Sequence, residues 1–422
     1  MFKYILKNYT SLLQLWIELY TEGWTDWKEK NIKVGYLWWW QIWAFWVLAC
    51  QKKGYESIVF SAEWPNSPAA QLTEQVQITY ENVKESADII ISYWVDVIIP
   101  EWENPPKELL EELEKRWQKV ACWSDSFWKI QHRAREKEAI IKAWAKVVDY
   151  VDWVNSVWDI EKAYVKYWPW IIKTARFGYD SKGQHRINTL EDIKKLAEDL
   201  EDSSESLEMI WKPWIRLGEV ERIYEKKVKV DWEISVAVWR NENWEMCVFD
   251  PAFNIHENGI LKTSTIPAWE NDSGVEITKK LVKESQEIAK NITENMWIVW
   301  LLVVEMFIVD GELVVNEMAP RGHNSYHNSE KSHNMSQYDV QLETIVNDTF
   351  SELKLLKKAV LTNMLWGEIN QMDKRKPNKW YSIVSNGKET WYDYWKDINK
   401  PDSDLPKGRK MWHKVKVSEL ES

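Results

Sequence analysis

Residues 303–325, VVEMFIVDGELVVNEMAPRGHNS, restrict the fold more than any other stretch of this chain. Two apolar runs flank Asp310-Gly311, a dipeptide suited to the left-handed backbone of a tight hairpin turn. Glu305 and Glu317 interrupt the runs, one on each strand, among Val303, Val304, Phe307, Val314 and Val315. With apolar neighbours on both faces, an exposed position for each carboxylate is the weaker reading. A buried carboxylate pair is costly without a neutralising cation, so the hairpin reads as a magnesium site. Register then matters. A two-residue turn at Asp310-Gly311 would pair Glu305 with Asn316 and send Glu317 to the opposite face. A three-residue loop of Val309, Asp310 and Gly311, with Gly311 left-handed, would pair Glu305 with Val315 and keep both carboxylates on one face. The second arrangement is the one predicted.

A second stretch, IIKTARFGYDSKGQ at residues 171–184, sets Lys173 at the end of an apolar strand before a turn holding Gly178 and Gly183. Such a turn can lay backbone N–H groups along phosphates while Lys173 and Lys182 supply charge. A plain surface hairpin remains open as the other reading.

Length and charge narrow the class. A chain of 422 residues exceeds one ordinary core and suggests two or three domains. Its net charge of -11 and pI near 5.4 argue against a partner that is a nucleic-acid backbone. Cys50, Cys122 and Cys247 are far apart and form no CxxC pair, which predicts free thiols, no zinc site and a reducing, cytoplasmic compartment. Lys3, Lys7 and Glu18 interrupt the apolar N-terminus, so residues 1–30 read as an amphipathic extension rather than a signal or membrane span.

Periodicity gives the organisation. Residues 33–37, 41–53 and 55–60 read strand, helix, strand, and residues 88–91 and 95–99 add strand candidates. Residues 31–130 are therefore predicted to be a doubly wound α/β domain with a parallel sheet. Residues 131–348 read as an α+β domain. Its strands are expected at 170–173, 227–230, 234–239, 298–307 and 313–317, and its helices at 131–144, 190–200 and 279–292. Residues 349–422 read as a small strand-rich C-terminal domain.

The ordered segments KTARFGYDSKGQ, EISVAV, NIHENGIL, EMF, NEMAPRGHNS and GRKMWH resemble the 5-(carboxyamino)imidazole ribonucleotide synthase family of ATP-grasp enzymes, from Lys33 to Val417. That resemblance implies an ATP-grasp fold with a Rossmann-like pre-ATP-grasp domain in front. It also implies a ligase that joins bicarbonate to the exocyclic amine of aminoimidazole ribonucleotide through carboxyphosphate, using ATP and Mg2+. A homodimer is the expected assembly.

Carried over by position, the resemblance places Arg133 and Lys173 on ATP phosphates, with Gly178, Gly183 and Gln184 in the loop that closes over them. Glu225, Lys226, Lys227 and Val228 would read adenine, Glu233 the ribose, and His256 would lie near the nucleotide. Glu305 and Glu317 would hold magnesium beside Asn316. Tyr179 and Lys182 would orient bicarbonate or carboxyphosphate. Asp180, Arg321, His323, Asn324, Lys396, Arg409 and Lys410 would surround the ribonucleotide. A solvated tail for Lys396 and Arg409, and a structural role for His323, stay open. So do a different ATP-grasp ligase and a nucleotide-binding protein without turnover.

Most departures share one residue type. The chain has 32 Trp and 13 Gly, where average usage of about 7% would give roughly 30 Gly. Trp38, Trp39, Trp40, Trp43, Trp300, Trp395 and Trp412 stand where the resembled family has glycine. The expectation is that these positions are glycine in the natural protein, encoded by UGA and read here as tryptophan. Tyr326 in place of a small residue and Pro100 in PEWENPP are further departures.

Overall fold

The computed structural model describes residues 32–37, 43–62, 72–152, 157–167, 170–176, 184–202, 221–347, 350–365, 384–385, 387–393 and 410–420. The N-terminal extension, the loop at 177–183, Lys396 and Arg409 lie outside them, as do Trp38, Trp39, Trp40 and Trp395.

The first sheet is built as its apolar runs dictate. Strands β1 (Lys33–Leu37), β2 (Glu56–Ser61), β3 (Glu74–Gln77) and β4 (Val97–Pro100) lie in the order β3-β2-β1-β4, and every neighbouring pair is parallel. Helices α1 (Trp43–Lys53) and α2 (Val83–Ser92) make crossovers, and α3 (Lys107–Lys115), α4 (Ser124–Ile130) and α5 (Arg133–Lys142) follow. The predicted strand at residues 88–91 is instead the end of α2. A three-residue isoleucine run is too short to separate strand from buried helix. Here Asn82 decides, because its side chain caps Glu85 N and starts a helix.

A second sheet holds β5 (Tyr150–Val151), β6 (Trp170–Thr174), β7 (Gln184–Ile187) and β8 (Arg222–Lys226) in the order β5-β8-β6-β7. Helices α6 (Val157–Tyr167) and α7 (Leu190–Asp202) belong with it. Residues 227–230, predicted as a strand, are irregular, and the strand ends at Lys226.

Among the described residues the largest sheet has ten strands. β9 (Trp232–Arg240), β10 (Met246–Val248), β11 (Ala252–Glu257) and β12 (Ile260–Ile266) precede α8 (Lys279–Asn295), and β13 (Trp300–Val309) and β14 (Glu312–Ala319) follow it. After α9 (Ser329–Ser332) and α10 (Gln337–Asn347) come β15 (Lys358–Leu365), β16 (Val384–Ser385), β17 (Glu389–Asp393) and β18 (Lys410–Ser418). The order is β14-β13-β9-β11-β12-β15-β18-β17-β16 with β10 on β9, so the C-terminal strands extend this sheet through β12 and β15. Val236, Val238, Leu302, Val304 and Val315 are fully buried in its core, each contributing about 1.5–3 kcal/mol. Cys50, Cys122 and Cys247 are free and buried.

Backbone handedness separates two kinds of tryptophan. Of nine non-glycine residues with positive φ among the described residues, six are tryptophans: Trp94, Trp117, Trp144, Trp244, Trp297 and Trp300. Four of these stand one residue past the caps of α2, α3, α5 and α8, the position where a helix turns left-handed and glycine is favoured. Among the positions where the sequence argument expects glycine, Trp300 has φ of 90°, whereas Trp412 lies within β18.

Candidate active site

The β13–β14 hairpin corrects the predicted register. Val309 pairs with Glu312, Ile308 with Leu313 and Met306 with Val315, so the turn is the two-residue Asp310-Gly311 and not a three-residue loop. Both turn residues are left-handed, with φ of 51° and 79°. A shift in register between Glu305 and Met306 then lets Glu305 face Glu317 directly. Asn316 is the extra residue of this bulge, and Glu305 does not pair with Val315. The two carboxylates still share a face, through a bulge in the strand instead of one in the turn.

The pairing is electrostatically strained. Glu305 is buried, and burial, followed by the neighbouring Glu317 charge, pushes its carboxyl up to about 8. His323 Nε2 lies 3.2 Å from Glu305 Oε1, and its Nδ1 meets Ser325 Oγ at 2.8 Å. Burial and the Arg321 charge hold His323 well below the usual imidazole range, so it is neutral. Glu317 takes Arg133 Nη1 at 3.4 Å. Behind Glu305, His256 Nδ1 sits 2.8 Å from Glu233 Oε2. Burial opposes its charge, but Glu233 and then Glu305 outweigh burial and raise its pKa. Lys410, at the start of β18, adds its charge to the field at Glu305, His256 and His323.

Two carboxylates on one face suit magnesium, which keeps water and phosphate oxygens for most of its shell. Among the described residues no group of three or more His, Cys, Asp or Glu is placed so that it could hold a metal ion.

A cation cluster lies on the other side of Glu317. Arg133 and Lys137 are one helical turn apart on α5, so they project from one face. Glu225 on β8 receives both lysines: Lys137 Nζ stands 3.2 Å from Oε1 and Lys173 Nζ 2.5 Å from Oε2. Burial favours the neutral acid, but Lys137, Lys173 and Arg133 overcome it and hold Glu225 well below the carboxylate range. Burial also lowers the pKa of Lys173. Glu136, next on α5, accepts Met318 N, and burial pushes it up to about 8. Gln184 opens β7 opposite Lys173.

The other expected contacts scatter around this centre. Lys226 Nζ pairs with Asp149 Oδ2 at 3.3 Å, and Lys227 Nζ donates to Asn188 Oδ1 at 3.3 Å. Val228 follows in the irregular stretch. Arg321 donates to Glu103, which ties the PEWENPP segment to the end of β14. Both amide atoms of Asn324, and Asn104 Oδ1, are buried without hydrogen-bond partners. Such orphans are what a bound polar ligand would satisfy. Gly178, Tyr179, Asp180, Lys182, Gly183, Lys396 and Arg409 lie outside the described residues. Sequence reasoning missed Lys137, although its spacing of four from Arg133 was available.

The ATP-grasp domain profile matches residues 138–338. The chain is 29% identical over 330 residues to the N5-carboxyaminoimidazole ribonucleotide synthase of Staphylococcus aureus (strain COL), covering 77% of this chain and 80% of that one. It is 28% identical over 368 residues to the synthase of the same name from Bacillus subtilis (strain 168), covering 87% and 86%. A solved ADP complex of an N5-carboxyaminoimidazole ribonucleotide synthetase matches with a TM-score of 0.76 and 28% identity over 92% of this chain and 93% of that one. Residues 138–338 thus match an ATP-grasp domain, and the relatives and the solved structure named above are N5-carboxyaminoimidazole ribonucleotide synthases to which the chain is similar along most of its length.

Proposed function

We propose that this chain carboxylates aminoimidazole ribonucleotide with bicarbonate and ATP in purine biosynthesis, releasing ADP and phosphate. The observation that carries this reading is the opposed pair Glu305 and Glu317 beside the Arg133 and Lys173 cations. It supplies cation and phosphate sites at one place, within a chain similar to these synthases along most of its length.

Phosphoryl transfer asks a protein chiefly for positioning and charge neutralisation. Arg133 and Lys173 bind the nucleotide phosphates, and Glu305, Glu317 and the neighbouring Asn316 would hold Mg2+, which would supply charge neutralisation for the phosphates. A bicarbonate oxygen bonds to the terminal phosphorus as the bond to ADP breaks. Lys182 and Tyr179 orient the resulting carboxyphosphate. The exocyclic nitrogen then bonds to the carboxyl carbon, phosphate leaves, and the amine loses a proton. Asp180, Arg321, His323, Asn324, Lys396, Arg409 and Lys410 hold the ribonucleotide in this reading. Glu225 to Val228, Glu233 and His256 hold the nucleoside. Residues 31–130, 131–348 and 349–422 are its three units, and it works in the cytoplasm as a homodimer.

The test is ADP release measured with bicarbonate and with aminoimidazole ribonucleotide, glycinamide ribonucleotide or neither. ADP formation that requires both bicarbonate and aminoimidazole ribonucleotide is expected. Dependence on glycinamide ribonucleotide, or ATP binding without turnover, would overturn the reading.

A further inference from the structure

Two lysines share one buried carboxylate, and the sharing is uneven. Lys173 Nζ is 2.5 Å from Glu225 Oε2, while Lys137 Nζ is 3.2 Å from Oε1. The second contact is one of charge alone, because neither Lys137 Nζ nor Glu225 Oε1 finds a hydrogen-bond partner there. All three side chains are nearly sealed, at 1% exposure for Lys137, 4% for Glu225 and 9% for Lys173. Their placement is set by the backbone. On the antiparallel pair β6–β8, Ile171 faces Glu225 and Lys173 faces Ile223, so Lys173 and Glu225 are diagonal neighbours on one face. Lys137 reaches the same carboxylate from α5, and Tyr150 lies behind it with Nζ 5.9 Å from the ring centroid.

Two buried ammonium groups against one carboxylate leave one positive charge in excess, an arrangement that burial alone disfavours. Arg133 adds a further positive charge to the field at Glu225 and takes its own ion pair from Glu317. We propose that Lys137 is a positioning residue for nucleotide binding: it keeps Glu225 neutralised, so that Lys173 can leave that carboxylate for a phosphate. This rests on the reading that ATP phosphates bind at Lys173. With Lys137 absent, Lys173 would be held by Glu225 in a closed one-to-one pair. The binding-competent arrangement would then be a minor population, and apparent affinity would fall by that fraction.

The experiment measures ATP binding by calorimetry and ADP formation in parallel, for wild type, Lys137→Met, Lys137→Arg, Glu225→Gln and Glu225→Gln/Lys137→Met. Lys137→Met is expected to weaken ATP binding about tenfold or more, with kcat at saturating ATP within about twofold. Lys137→Arg is expected to restore most of the affinity. In the Glu225→Gln background the lysine has no carboxylate to hold, so its removal is expected to change affinity by less than about twofold. Wild-type affinity in Lys137→Met would overturn the proposal. So would an equal loss in the Glu225→Gln background, which would make Lys137 a direct phosphate ligand. If Lys137→Met does not fold, the two proteins in the Glu225→Gln background carry the same test. Wild type that binds ATP yet consumes none with aminoimidazole ribonucleotide would sink the functional reading and leave this comparison intact.

Discussion

Around Glu305 and Glu225, each buried charge meets an opposite charge or an imidazole at 2.5–3.4 Å. At the ends of α2, α3, α5 and α8 the residue type contradicts the backbone it occupies. α1 ends on Gly54 with φ of 75°, where Gly54 N bonds Gln51 O and Tyr55 N bonds Cys50 O. α3 ends with the same two bonds, Trp117 N to Glu114 O and Gln118 N to Leu113 O, but on a tryptophan with φ of 61°. Trp94, Trp117 and Trp144 are 86%, 91% and 94% exposed, so no packing offsets the left-handed backbone. Native sequences agree with their structure at every level, and conflict at a functional site has a chemical return. These helix ends show no such return, which sets them apart from the charged centre.

The largest expected effect tests whether the charged centre is functional rather than an accidental set of ion pairs. Glu305→Gln mimics the protonated acid, which burial and Glu317 already favour. Folding stability should therefore hold or rise, while ADP formation falls about a hundredfold or more, since a cation ligand is lost. Loss of activity together with a large drop in Tm would reduce Glu305 to a structural residue.

Next in size is Lys182→Ala. If its charge meets carboxyphosphate, turnover should drop by about a hundredfold while the Kd for ATP moves by less than about threefold. Equal losses in rate and affinity would make it a phosphate anchor only.

A smaller effect is expected from pH. Glu305 and Glu136 are both pushed up to about 8, against an ordinary value of 4.5. Between those values the folded protein holds protons that the unfolded chain has released, so raising pH favours unfolding. Thermal denaturation from pH 6 to 8.5 without magnesium should show Tm falling by a few degrees. Added Mg2+ should flatten the slope by favouring the ionised Glu305 pair. A Tm that rises over this range would mean that neither carboxyl is held protonated.

The centre was largely legible because its residues violate local patterns: Glu305 and Glu317 stand in apolar strands, and Lys173 ends one. What stayed hidden depended on geometry that sequence does not carry. The bulge at Asn316 reaches the predicted shared face by a different route, since a register shift leaves no mark in residue type. Lys137 was hidden for the opposite reason, because a lysine on a charged helix looks solvated until β8 sets Glu225 against it. The end of α2 was misread because Ile89, Ile90 and Ile91 fit a strand as well as a helix. The helix-end tryptophans were hidden as well, since a left-handed helix terminus shows only in the backbone.

The smallest effect per site, and the sharpest test of the comparison, is the exchange of residue types between helix ends. A left-handed non-glycine residue costs about 1–2 kcal/mol, and glycine returns about 0.5–1 kcal/mol of that through its freer unfolded chain. Trp94→Gly, Trp117→Gly, Trp144→Gly and Trp297→Gly should each stabilise the protein by roughly 0.5–1 kcal/mol in denaturant titrations. Gly54→Trp should cost a similar amount. If the exchanges are neutral in both directions, the helix ends tolerate tryptophan and the contrast disappears. If they are not, the residues have a common origin: the codons at Trp94, Trp117, Trp144, Trp244, Trp297 and Trp300 should be UGA, and peptides of the native protein should carry glycine there. Trp46 is the control. It is 1% exposed, meets the Tyr338 ring edge-on at 4.8 Å and sits inside α1 rather than on a left-handed backbone, so its codon should be UGG. UGG at the helix ends as well would refute the glycine assignment and leave the strain to be borne by the protein itself.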